Sequence, residues 1–147
     1  MNRAERGKEL FEAGMNCSQA VLLAYEDELG VDRSVLLRIG SSFGGGMGRL
    51  REVCGAVSGI FAVAGLLQGP EDPTDHKAKT AHYKLIQELA AKFREKNGFI
   101  VCRELLGLRA DENSHVPEER TEEYYRRRPC AKYIMCAIEI LEEQMNV

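Results

Sequence analysis

Charge of one sign is never in large excess in this chain. Twenty Lys and Arg stand against 23 Asp and Glu, for a net charge of −3 and a pI near 5.7. Nucleic-acid binding asks for a basic face, so that class of function is set aside. Arg126-Arg127-Arg128 is too short a basic run to change this and reads as a solvated turn. Long apolar runs are also scarce. The only one, Val53 to Leu67, has fifteen uncharged residues; as a helix it reaches about 22 Å, short of the roughly 20 residues that cross a bilayer. The N-terminal stretch MNRAERGKELFEAG has no apolar core and no small-residue cleavage pattern, so no secretory signal is expected and the cytoplasm is the expected compartment. Internal repeats, low-complexity segments and a second domain are absent. The five cysteines include no C-x-x-C pair, which removes the usual thioredoxin and zinc-ribbon signatures, and no C-x-x-C-H for covalent haem attachment.

What is present points to one all-α domain over residues 1–147, a bundle of about six helices around a central buried helix at about 50–68. The run Val53–Leu67 is too long for a typical strand and apolar on every side, the pattern of a helix enclosed in a core. Gly55, Gly59 and Gly65, with Ala56, Ser58 and Ala62, leave it nearly bare. Interior glycine is unfavourable in a helix by about 0.8–1.0 kcal/mol relative to alanine, so close approach by a neighbour is the expected compensation.

The remaining elements follow from caps and periodicity. A first helix is expected over 3–13. A second is expected from Cys17 to about Leu29, with Asn16 as N-cap, Gln19 completing a capping box, and Gly30 as the stop. A short third helix starts at Asp32 or Ser34. Ser41–Arg49 is a glycine-rich loop lacking a Walker lysine and a G-x-G-x-x-G fingerprint, which favours close packing over phosphate binding. Arg49 and Arg51 could hold thiolate charge, but a solvated helix start is the expected role. A long helix is expected from Pro73 to about Lys96, capped by Asp72, with His76 and His82 on its surface. A short helix follows Cys102, Arg109–Glu119 is polar and the expected mobile stretch, and Pro129 opens the last helix. The expected core includes Leu10, Val21, Leu36, Val57, Ile60, Phe61, Val63, Leu66, Leu85, Leu89, Phe93, Leu105, Ile134 and Ile138.

Cys17, Cys102 and Cys130 fall at or beside helix N-termini, where free N–H groups and the helix dipole favour a thiolate. Cys54 lies early in the central helix. Four thiols on separate segments, in a chain expected to be reduced, suggest a convergent cluster with redox or metal chemistry. Cys136, six residues after Cys130, should point about 240° away and act as a buried apolar residue.

Cys17, the Gly44-Gly45-Gly46 run, Cys54-Gly55-Ala56-Val57-Ser58-Gly59, Cys102 with Glu104-Leu105-Leu106-Gly107, and Cys130 together resemble the redox-active family called C-GCAxxG-C-C, over about residues 11–142. The resemblance implies a small helical cytoplasmic protein whose four cysteines act together in redox chemistry or bind a metal centre. A related domain in some haem proteins carries an iron–sulfur cluster. Three functions are therefore expected to compete. The first is redox chemistry of Cys17, Cys54, Cys102 and Cys130, as thiols with Cys54 paired to one of the others or as ligands of an iron–sulfur cluster, serving an unidentified redox partner. The second is structural zinc on the same four thiolates. The third is a non-catalytic helical interaction module. A homodimer is compatible with the sequence, and no membrane insertion is expected.

Overall fold

In the computed structural model, which describes residues 1–147, hydrogen-bonded backbone and apolar burial build ten helical segments and no β-strand. The segments are α1 (Arg3–Glu12), α2 (Cys17–Ala24), α3 (Glu26–Leu29), α4 (Arg33–Gly40), α5 (Gly44–Met47), α6 (Gly55–Gln68), α7 (His76–Asn97), α8 (Cys102–Leu106), α9 (Glu122–Arg127) and α10 (Cys130–Met145). Six of them have eight residues or more, so the six-helix expectation describes the framework. The others are short turns between these. The fold is a single all-α domain, and no helix is long and apolar enough to cross a membrane.

The caps explain where the helices begin. Asn16 Oδ1 accepts from Gln19 N at 2.8 Å and Gln19 Oε1 accepts from Asn16 N at 3.0 Å, so the expected capping box starts α2 at Cys17. Asn2 and Glu5 form the same box before α1. Three boundaries move. The central helix, expected at about 50–68, begins at Gly55, because Arg51 is left-handed and Val53 bridges to Val101 ahead of it. The expected helix Cys17–Leu29 breaks at Tyr25, whose ring enters the core and whose hydroxyl donates to Ile138 O at 3.4 Å. The long helix starts at His76 rather than Pro73, because Asp75 takes the cap and accepts from Ala78 N at 3.0 Å. Asp72 is occupied in a turn with the N–H and hydroxyl of Thr74.

Helix α6 lies at the centre, packed against α2, α7 and α10. The contact with α2 runs through glycine. A Cβ at Gly59 would stand 2.8 Å from Val21 Cβ, and one at Gly55 would stand 3.1 Å from Cys17 Cβ. Close approach therefore does compensate for glycine, as the sequence suggests. Burial of α6 is not complete, however. Leu66, an expected core residue, is 46% exposed, and nothing lies within 4 Å of a Cβ built on Gly65. The side carrying Gly65 and Leu66 is left open, and uniform apolarity of sequence could not reveal which side that would be. Leu10, Phe61, Leu85 and Leu105 are partly buried against the core, and apart from Leu66 the other expected core residues are fully enclosed.

Gly59→Leu should lower stability by about 1–3 kcal/mol or more through overpacking against Val21. Gly65→Ala, in open space with helical backbone, should raise it by about 0.4–1 kcal/mol. Thermal and denaturant unfolding of the two variants tests both signs.

Candidate functional site

Each of the four expected site cysteines occupies the start of a helix. Cys17 is the first residue of α2, Cys102 of α8 and Cys130 of α10, while Cys54 is the N-cap of α6. All four line one cavity of about 290 Å³. Cys54, Cys102 and Cys130 are 6%, 7% and 9% exposed, and Cys17 is partly buried. Cys136 lies apart from them on α10. It is half-buried rather than enclosed, and Asn97 Nδ2 donates to its sulfur at 3.4 Å.

Short backbone links bring these remote segments together. Cys54 N donates to Ile100 O at 2.8 Å and Cys102 N donates to Glu52 O at 2.6 Å, either side of an antiparallel bridge between Val53 and Val101. The approach depends on missing side chains. A Cβ on Gly46 would lie 2.6 Å from Cys102 Cβ. The glycine-rich loop therefore packs against the cysteine segments, as its composition suggests.

That loop has an unexpected hand. Five successive residues, Gly45 to Arg49, hold φ between +62° and +69°, and Arg51 follows at +64°. Left-handed backbone costs roughly 1–2 kcal/mol per non-glycine residue, so Met47, Arg49 and Arg51 are strained. Long-reach hydrogen bonds hold the turn, from Arg51 N to Gly45 O at 3.3 Å and from Glu52 N to Gly46 O at 2.9 Å. Its effect is to send Arg49 and Arg51 to the cavity. The expected solvated role fails for Arg51, which is 6% exposed and donates from Nη1 to Cys102 Sγ at 3.6 Å. Arg128 also leaves the expected solvated turn: it pairs with Glu118 and its guanidinium lies 5.8 Å from the Tyr124 ring centre. Arg120 is stacked 4.7 Å from the Phe11 ring centre and donates to Phe11 O and Met15 O. These contacts tie the polar 109–119 stretch and its neighbours over the cavity, whose lining includes His115, Pro117 and Glu118.

The thiols are electrostatically unequal. The Cys17 and Cys130 thiols influence each other's ionisation. Interaction with Cys17, together with the charges of Arg128, Arg120 and Arg51, outweighs burial and lowers the Cys130 pKa. Interaction with Cys130 and burial raise Cys17 well above its ordinary value. Burial pushes Cys54 up to about 12 despite hydrogen bonds from the backbone of Ala56 and Val57. Burial also raises Cys102, opposed by Arg51. Of the four cavity thiols, Cys130 alone is shifted toward the thiolate. No group of three or more His, Cys, Asp or Glu side chains is arranged to hold a metal ion.

Iodoacetamide should modify Cys130 at lower pH than the other cavity thiols, because a lowered pKa keeps its thiolate populated further into acid. Arg128→Gln removes a favourable charge, so the Cys130 alkylation profile should move to higher pH. Peptide-resolved mass spectrometry across a pH series measures both.

No curated protein and no solved structure matches the chain significantly. A family description does match, over residues 15–144, and that interval includes all four cavity cysteines and the glycine-rich turn. With nearly the whole length covered, the chain belongs to the family described as "Putative redox-active protein (C_GCAxxG_C_C)".

Proposed function

We propose that the protein is a dithiol–disulfide redox protein in which Cys130 is the attacking thiolate and Cys17 the resolving thiol. The observation that carries this reading is that Cys17 and Cys130 line one cavity with Arg128, Arg120 and Arg51, whose charges favour the Cys130 thiolate. Membership of a family described as redox-active supports the class of chemistry.

The cycle needs a disulfide as its oxidant. The Cys130 thiolate attacks one substrate sulfur, the substrate S–S bond breaks, and a mixed disulfide forms as the first substrate thiolate leaves. Cys17 then attacks Cys130 Sγ, giving up its proton to the departing thiolate. The second half of the substrate leaves, and a Cys17–Cys130 disulfide remains. Two electrons pass from the protein to the substrate, and a reducing thiol partner reverses the step. The reading takes the cytoplasm as the compartment, where thiol pools can supply that reductant. Cys54, with its thiol held protonated, serves as a packed member of the cluster, and Cys102 positions Arg51.

Treatment of the reduced protein with oxidised glutathione should give a reversible Cys17–Cys130 disulfide in non-reducing peptide maps. Cys17→Ser should accumulate a mixed disulfide on Cys130, and Cys130→Ser should form neither species. Formation of a Cys54-containing disulfide alone, with Cys17→Ser and Cys130→Ser unaffected, would reject the assignment.

A further inference from the structure

The cavity carries far more positive charge than its thiol chemistry uses. Arg49, Arg51, Arg120 and Arg128 all reach it, against one carboxylate, Glu118, in a chain whose net charge is −3. Glu118 is already shared between Arg127 and Arg128. Arg120 is satisfied by carbonyl oxygens and aromatic faces. The remaining three are satisfied only in part, Arg49 by Val116 O, Arg51 by Cys102 Sγ and Arg128 by Glu118. The Nε atoms of Arg49, Arg51 and Arg128 are shielded from water and have no acceptor. Arg51 is itself only 6% exposed. The three guanidinium groups also repel one another, since Arg51 and Arg128 both disfavour the charged form of Arg49. Four guanidinium groups on one cavity, against a single carboxylate that is already paired, leave uncompensated positive charge in its lining, the setting that draws in an anion.

Size restricts what the acceptor belongs to. A volume of about 290 Å³ is at the lower end of small-ligand pockets, roughly 300–1,000 Å³. Three of the four thiols are less than a tenth exposed, so a disulfide carried on a folded protein surface would not reach them readily.

We propose that the cavity selects a low-molecular-weight anionic disulfide, with Arg49, Arg51 and Arg128 holding a carboxylate or similar oxyanion while Cys130 meets the neighbouring sulfur. This rests on the dithiol reading above and adds the chemical class of its substrate. The arginines serve twice, since the charge that favours the Cys130 thiolate also draws in its oxidant. Recognition is by charge and donor geometry, and the chemistry is the exchange already described, with the substrate disulfide reduced to two thiols.

The test uses the full reduced chain and three disulfides of similar length: the dianion 3,3′-dithiodipropionate, the neutral bis(2-hydroxyethyl) disulfide and the dication cystamine. Each rate of Cys17–Cys130 oxidation is divided by that probe's rate with dithiothreitol, which removes its intrinsic reactivity. The expected order is dianion, neutral, dication, with the first at least about tenfold ahead of the second at low salt, within the range of electrostatic focusing by a charged cleft. That advantage shrinks as salt rises. Arg49→Gln lowers the dianion-to-neutral ratio and Arg49→Lys retains most of it. If a variant does not fold, the wild-type probe series and its salt dependence still decide. Equal corrected rates, or cystamine fastest, overturn the anionic substrate while leaving the dithiol cycle intact. Oxidation by none of the three probes overturns both.

Discussion

The structure depends on bringing four helix N-termini to one point. Each carries a partial positive charge of about half a unit, together with N–H groups that no carbonyl of its own helix satisfies. Assembled around an apolar void, such ends would repel. Here each ends in a cysteine, at Cys17, Cys54, Cys102 and Cys130, so sulfur faces the accumulated field. The segments between are spaced by whatever chain is needed to return to that point. This is why remote positions with no local motif form one site, and why the contacts bringing them together run through Gly46, Gly55 and Gly59.

The arginines extend the same logic. A buried guanidinium needs compensation, or its desolvation outweighs what it gains. Arg51 finds part of that compensation in Cys102 Sγ, and Arg128 finds it in Glu118. The cavity is therefore neither a plain apolar pocket nor a solvated cleft. Its lining sets arginines beside sulfur, with Arg51, Arg120 and Arg128 favouring the charged form of Cys130.

Much of this arrangement is written in short-range chemistry that a sequence displays. Asn16 and Gln19 announce the start of α2, and bare glycines in an apolar run announce a close helix contact. Three of the four cysteines read as helix-initial from their local context; Cys54 becomes one once α6 is seen to begin at Gly55. What was not legible belongs to tertiary structure. The burial of Arg51 depends on α8 returning to pair with the segment before α6, across 51 residues. Tyr25 interrupts a helix because its ring finds the core and its hydroxyl finds Ile138 O on α10. The exposure of Leu66 depends on which neighbour happens not to cross above it. None of these is encoded within a single turn of chain.

The left-handed turn from Gly45 to Arg49 has a consequence for chirality itself. At Met47 and Arg49 the backbone occupies the basin natural to the mirror-image amino acid. A chemically synthesised chain with D-arginine at position 49 would relax the peptide while keeping the guanidinium. Strain could then be relieved with the charge kept in place, a change that no genetic substitution at that residue provides.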